Sequence, residues 1–302
     1  MFEKLIGNDR IKENLEKVLN SNNISHSYMF IGPSGIGKKK FAKEFAKGIL
    51  CLNENNKPCN DCKSCISFMD SNNPDYYEIN LADDENSIKI DTIRELQKKI
   101  QELPIVSNRK VYIINDSEYM TKDAQNCLLK TLEEPPSFVT LILIVSNENM
   151  ILNTIKSRCL KLYFNGIPNN EIMNYIKQNL NFDAFTPNML KACEGSIGKA
   201  KNIYANANTY LEVDKVFNNI EKHTLIDVIS KLEVLYKNKE HINEILEYIN
   251  TIFIEKAKND FKYIEYIKYI EEAKRDIKQN CNYDMCIDNL LFKIFEGEWK
   301  VE

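Results

Sequence analysis

Three residues carry the most pointed chemical signal in this chain. Gly32, Gly37 and Lys38 stand at the spacing G-x-x-x-x-G-K within Ile31-Gly32-Pro33-Ser34-Gly35-Ile36-Gly37-Lys38-Lys39. Such a loop wraps phosphate because its glycines, Gly35 included, let successive backbone N–H groups point inward at the positive end of a helix. Lys38 would reach the outer phosphates of ATP or ADP. The next position normally supplies a hydroxyl that ligates magnesium. Here it is Lys39, whose ammonium has no lone pair for a metal. The loop is therefore built to cradle phosphate while lacking a magnesium ligand.

A second altered position lies downstream. Lys110-Val111-Tyr112-Ile113-Ile114 reads as a buried strand ending in Asn115-Asp116-Ser117-Glu118. In a phosphoryl-transfer site the first carboxylate after such a run orders magnesium and the next helps to activate water. Asn115 fills the first of these places, and an amide is a poor ligand for a divalent ion. Asp116 fills the second, and Glu118 reads as solvated. The alternative is an active site in which Asp116 or Glu118 takes over at the metal. Asn147 follows the apolar run Thr140–Val145, where a polar side chain could sense a terminal phosphate; a plain strand-end turn explains it about as well.

Cys51, Cys59, Cys62 and Cys65 form a C-x7-C-x2-C-x2-C array, which fits tetrahedral zinc with no open coordination position and hence a structural role. Such a site is worth about 10–16 kcal/mol in zinc fingers, enough to fold a short insertion. Nine cysteines in all, an odd number, argue for metal or free thiols over a disulfide framework.

These groups need a scaffold. Apolar positions predict a helix over 3–20, then the strand entering the glycine loop, then a helix through Phe41, Ala42, Phe45, Ala46, Ile49 and Leu50. A second strand is expected at Asp75–Leu81, an acidic turn at 83–86, a helix from Ile88 to Leu103 ended by Pro104, and another over 121–132 closed by Glu133-Glu134-Pro135-Pro136. Leu160, Leu162 and Phe164 alternate. Pro168 opens a helical region, and Gly195-Ser196-Ile197-Gly198 turns into a helix with Lys199 near its start. From about Ala207 the chain reads as helical, with Leu225, Val228, Ile229, Leu232, Leu235, Ile245, Ile249, Ile252 and Phe253 on apolar faces. The 302 residues carry a net charge of −4. That balance argues against coating nucleic acid by bulk charge, though not against a local basic face. Neither a signal region nor a membrane span is legible, which predicts a cytoplasmic protein.

Taken in order, Leu5-Ile6-Gly7, Ser25-His26-Ser27-Tyr28-Met29-Phe30, the glycine loop, the four cysteines, Lys110–Glu118, Thr131-Leu132-Glu133-Glu134-Pro135-Pro136, Ser157-Arg158-Cys159 and Gly195–Ala200 resemble the bacterial clamp-loader AAA+ proteins of DNA polymerase III. The resemblance covers residues 1 to about 205 and extends weakly to the end. It implies an α/β AAA+ fold, a RecA-like parallel sheet over 1–165 with a zinc module at 51–65. An α-helical lid over 166–206 and an all-α collar over 207–302 for oligomerisation would follow. It also implies that Arg158 reaches across an interface to ATP held by a neighbour; the alternative is an ordinary surface ion pair. Gly32, Gly35, Gly37, Lys38, Lys39, Asn115, Asp116, Asn147 and Lys199 would outline a degenerate nucleotide site. The implied partners are the tau/gamma and delta subunits, the sliding clamp and primed DNA, in a hetero-oligomeric ring without membrane contact. The two altered metal positions suit a stationary, non-hydrolysing member of that ring better than its motor.

Overall fold

The computed structural model describes residues 2–299 apart from 3–4, 82–84, 181, 183, 226–227 and 229–232. The expected acidic turn at 83–86 and the apolar positions Ile229 and Leu232 fall partly or wholly outside the described residues. The chain divides into two units, Met1–Glu171 with Gly195–Ile197, and Ile172–Glu194 with Gly198–Glu302.

The first unit is built on five strands, β1 (Ser27–Ile31), β2 (Tyr76–Ile79), β3 (Lys110–Ile114), β4 (Val139–Val145) and β5 (Leu160–Tyr163). They lie in the order β2-β3-β4-β1-β5 with every pairing parallel. The three central strands are buried at every residue, as a parallel sheet covered on both faces requires. Side chains alternate between those faces. Tyr28, Phe30, Val111, Ile113, Ile142 and Ile144 meet Leu15 and Leu19 of α1 (Asp9–Ser21) and Phe41 and Phe45 of α2 (Lys38–Leu50). Met29, Ile31, Tyr112, Ile114, Leu141 and Leu143 meet Ile93 and Leu96 of α4 (Ile90–Ile100) and Leu128 and Leu132 of α5 (Lys122–Glu133).

The first helix starts later than its apolar pattern suggests. Gly7 and Asn8 both take positive φ, and the Asn8 side chain bonds both the N–H and the C=O of Asn165. Leu5 and Ile6 therefore lie ahead of α1. The short helix α3 (Lys63–Met69) belongs to the cysteine module, and α6 (Asn153–Lys156) leads into β5.

The second unit is helical: α7 (Asn169–Leu180, from Ile172 on), α8 (Pro187–Ala192), α9 (Ile197–Ala205), α10 (Ala207–Phe217), α11 (Glu233–Lys237), α12 (Ile242–Ala257), α13 (Tyr263–Lys278) and α14 (Tyr283–Trp299). Aromatic rings fill its centre: Phe217 and Tyr266 pack edge-on against Phe253 at 5.6 and 5.2 Å. Asp214, buried on α10, is satisfied by Thr186 and by the amides of Asn188 and Asn218. Among the described residues no helix is long and apolar enough to cross a membrane.

Candidate functional site

The glycine loop leaves the carboxyl end of β1 and α2 begins at Lys38, as the sequence pattern predicts. A side chain at position 32 would place its Cβ 2.4 Å from the Phe164 carbonyl oxygen, so only glycine lets the loop pass the end of β5. Gly35 and Gly37 take positive φ, and Ile36 is buried as the loop's anchor.

Lys38 points into this loop. Its Nζ donates to the carbonyls of Gly32 at 2.6 Å and Pro33 at 2.7 Å, and to Ser146 Oγ at 3.2 Å. Burial lowers its pKa to about 8, against the opposing pull of the Glu118 and Asp116 carboxylates.

Lys39 turns toward β2. Its ammonium lies 2.5 Å from Glu78 Oε1 and donates to Asn80 Oδ1 at 2.7 Å. Lys43 holds the other Glu78 oxygen at 2.8 Å, where the Tyr76 hydroxyl also donates. Burial pushes the Glu78 carboxyl upward, but the bonds from Lys39, Lys43, Tyr76 and Asn80 outweigh it and hold the group at about 2. The position that should face a metal is thus committed to a carboxylate on another strand.

Asn115 continues β3 by bonding Ile79, and its amide donates to Asp116 Oδ2 at 2.6 Å. Magnesium does not fit these residues: one place is an ammonium already paired, the other an amide turned onto its neighbour.

Two sequence expectations change here. Glu118 is not solvated: it is 5% exposed. Asp116 takes φ 50° and starts a 3-10 turn over Ser117–Tyr119, which folds Glu118 back under the sheet end. There its Oε1 accepts from the Ser146 N–H at 3.0 Å, while its Oε2 has no partner among the described residues. The strand pattern ends at Ile114, so no periodicity marked this residue. Likewise Ser146, not Asn147, bonds Lys38; Asn147 is exposed and caps the turn at Glu148–Met150. Lys199 lies in the second unit, where it pairs with Glu194.

Cys51, Cys59, Cys62 and Cys65 converge, all four sulfurs lying within 4.8 Å of one another and none in a disulfide. The Cys51–Cys59 and Cys59–Cys65 separations are 3.6 and 4.0 Å. Zinc–thiolate bonds of about 2.3 Å give a tetrahedral edge of about 3.8 Å, so the set fits zinc. A bound ion would supply the positive charge that keeps four thiolates together. Burial raises Cys62, but the N–H groups of Leu52 and Cys65 outweigh it and bring the thiol to about 7. The module is tied to the loops that lead into β2 and β3 through Ser64, which bonds Ser107 at 2.8 Å and Asn73 at 3.0 Å. Beside it the buried Asp75 carboxylate accepts the N–H groups of Ile105, Val106 and Ser107.

Arg158 sits at the opposite end of the sheet from the glycine loop. Ser27, at the start of β1, donates to the Arg158 carbonyl at 2.6 Å, and Leu160 is level with Tyr28. The length of β1 separates the two, roughly 16 Å at the usual strand rise. The side chain is 35% exposed, and its guanidinium donates to Glu133 Oε1 at 2.8 Å and the Thr154 carbonyl at 2.9 Å. Cys159 beside it is buried, and burial pushes its thiol up to about 11.

A parallel sheet in this strand order, with a glycine loop between the inner strand β1 and the helix that follows it, defines a P-loop protein of the AAA+ class. A family model described as DNA polymerase III, delta subunit, matches residues 7–168, more than half of the chain. The chain belongs to this clamp-loader family. It is 30% identical over 254 residues to DNA polymerase III subunit tau/gamma of Haemophilus influenzae, covering 81% of this chain and 36% of that protein. It is 36% identical over 155 residues to subunit delta' of Bacillus subtilis, covering 51% of this chain and 46% of the relative. The first relatives are matched over only 36%, 26% and 34% of their own length, about a third. The fold resembles that of a DNA polymerase III gamma subunit-related protein from Thermotoga maritima, with TM-score 0.55, 18% identity, and 93% and 98% of the two chains covered.

Proposed function

We propose that this chain is the stationary, delta-prime subunit of a DNA polymerase III clamp loader, which does not hydrolyse ATP and lends Arg158 to a neighbouring motor. The observation that carries this reading is the capture of Lys39 by Glu78 and Asn80 at the position where a metal ligand belongs. The Asn115 amide, turned onto Asp116, adds to it. Arg158 lies a strand's length from its own loop and is partly exposed, which suits donation in trans. A guanidinium offers a planar fork to phosphate oxygens and keeps its charge at any physiological pH.

In this reading residues 166–206 act as a lid and 207–302 as a collar that joins tau/gamma and delta subunits in a cytoplasmic ring. The ring loads the sliding clamp at primed DNA, and zinc stiffens the 51–65 module. ATP or ADP held by Gly32, Gly35, Gly37, Lys38 and neighbouring Ser146 would not turn over.

A second reading, a tau/gamma-like ATPase, has one observation in its favour. Glu118 is a buried carboxylate with a free oxygen close to the loop, where a carboxylate could orient water. Restoring metal ligands separates the two readings. Hydrolysis by Lys39→Thr combined with Asn115→Asp, and not by the parent chain, supports the stationary role; equal hydrolysis by the parent supports the motor.

The deciding experiment is reconstitution with tau/gamma and delta subunits, sliding clamp and primed DNA. Arg158→Ala should depress ATP turnover and clamp loading by the assembly while the variant still assembles. Unchanged rates would remove the finger assignment.

A further inference from the structure

A cavity of about 560 Å³ lies wholly within the second unit, lined from α9, α10, α12 and α13. Its floor is aromatic: Tyr210 of α10 and Tyr248 of α12 are both buried and meet edge to face at 4.8 Å. Glu244 and Glu247 of α12 line it, as does Glu194 just past the end of α8. The positive charge around it is already engaged. Lys199 is paired with Glu194, and Lys274 bonds Glu271 at 3.1 Å and stands 3.6 Å from Glu247. Glu244 pairs with no lysine or arginine among the described residues; the His241 ring lies 3.5 Å from it. Four carboxylates are thus set against two ammonium groups. The excess is felt at the floor, where burial first, and then the Glu244 carboxylate, push the Tyr210 hydroxyl up to about 12.

Asn250 adds an observation of a different kind. Its amide nitrogen donates to Glu271 at 3.1 Å, while its Oδ1 is enclosed and has no donor among the described residues. An amide oxygen without a donor is costly, and because Asn250 lines the cavity an N–H group entering there supplies one. The acceptors are strung out. Glu244, Glu247 and Asn250 follow at three-residue intervals along α12, so the first and last stand about 9 Å apart along the axis at the usual helix rise. Among the described residues these carboxylates do not converge as the four cysteine sulfurs do, so they form no cage for a metal ion. An extended cation with several N–H groups suits them better, and the cavity also presents the apolar Ile203 and Ile254 and the tyrosine rings to its carbon chain.

We infer that this cavity binds an aliphatic polyamine, its ammonium groups meeting Glu244, Glu247 and the Asn250 oxygen and its methylenes lying on Tyr210, Ile203 and Ile254. A lysine side chain of another protein would bring one ammonium where the cavity offers three acceptors, and a short diamine would leave one of them unmet.

The test is calorimetric titration of the full-length chain with spermidine, putrescine, Nα-acetyl-lysine amide and magnesium chloride at fixed ionic strength. Spermidine should bind at one site, about tenfold more tightly than putrescine, and magnesium should not displace it. Glu244→Gln should weaken spermidine about tenfold. Glu95→Gln, which removes an exposed carboxylate from the first unit, should leave binding unchanged and so excludes attraction by bulk charge. If Glu244→Gln folds poorly, Ile254→Trp serves in its place: Ile254 is 47% exposed on the cavity wall, and the larger ring should abolish binding without removing a charge. The wild-type series needs no variant. Absence of spermidine binding, displacement by magnesium, equal binding by Glu244→Gln and the parent, or an equal loss in Glu95→Gln overturns the proposal. So does lysine amide binding as tightly as spermidine, which would mark the cavity as a socket for one basic side chain of a partner. Neither the glycine loop nor Arg158 enters these measurements, so this inference and the proposed role can fail separately.

Discussion

The two ends of the parallel sheet make opposite use of positive charge. At the carboxyl end, Lys38 is folded into its own loop and Lys39 is tied to Glu78, so both cations are satisfied within the domain. At the amino end, Arg158 keeps a third of its side chain exposed and is held by one carboxylate and one carbonyl. In a hydrolysing site the loop end would be organised around a metal and a water, and nothing at Lys39 or Asn115 serves either. The comparison teaches that positions unsuited to a metal can still be tightly bonded. The loop's cations are held by bonds within the domain, and under the proposed role the group offered to a neighbouring subunit lies a strand's length away.

The largest effect should come from breaking the open end. In the reconstituted assembly Arg158→Ala should cut turnover at the interface it serves by about a thousandfold or more, as for arginine fingers elsewhere. Arg158→Lys keeps the charge without the fork and should recover only part of that loss. Single-turnover ATP hydrolysis and clamp loading measure both.

Next in size is the metal module, which precedes β2 and therefore the strand that carries Glu78. Cys62→Ser should reduce zinc from one ion per chain to none and lower the melting temperature by several degrees. Structural zinc is worth about 10–16 kcal/mol in isolated fingers, but here the Ser64–Ser107 and Asp75 bonds hold part of the module without it. Metal analysis with thermal melting checks this, and an unaltered melt would mean that the sulfurs hold no ion of structural weight.

The closed end should show itself in acid. Glu78 is held at about 2 against an ordinary 4.5, so the folded chain binds its proton less readily than the unfolded one. The stabilisation it brings is complete above pH 4.5 and is lost as pH falls toward 2. Glu78→Gln should cost about 1–3 kcal/mol at neutral pH, since it leaves Lys39 and Lys43 without a carboxylate. It should also flatten the acid limb of stability against pH. Lys38 gives a slope of the same sign in alkali, though it reflects a penalty on the buried ammonium: its depressed value of about 8 means that the unfolded chain binds more protons between about 8 and 10.5, so stability rises across that range.

Much of this was legible in the chain. The apolar runs at Tyr28–Ile31, Val111–Ile114 and Leu141–Val145 became the central strands because a sheet buried on both faces admits few polar residues. The glycine spacing placed the loop, and the C-x2-C pairs brought four sulfurs together. What was not legible arises from backbone turns and long reach. Positive φ at Asn8 delays α1, and positive φ at Asp116 buries Glu118, neither of which side-chain periodicity encodes. The pairing of Lys39 with Glu78 spans 39 positions and needs β2 beside β3 before it exists. Ser146 and Asn147 differ by one residue, and only the strand register decides which of them meets Lys38.

The smallest effect on stability should be the most discriminating for the open end. Glu133 is half exposed and its bond to Arg158 is a surface ion pair, so Glu133→Gln should change folding stability by no more than about 0.5 kcal/mol. Yet the same carboxylate is the side chain that orients the guanidinium, so in the assembly the variant should lose about threefold to tenfold of the turnover that depends on Arg158, because a misplaced fork makes fewer simultaneous bonds to phosphate. Glu133→Asp, which shortens the tether but keeps the charge, should fall between the parent and the amide. An unchanged melt together with reduced turnover marks a positioning residue; unchanged turnover would mean that the neighbour's phosphate orients Arg158 unaided and that Glu133 only keeps it soluble until the interface forms.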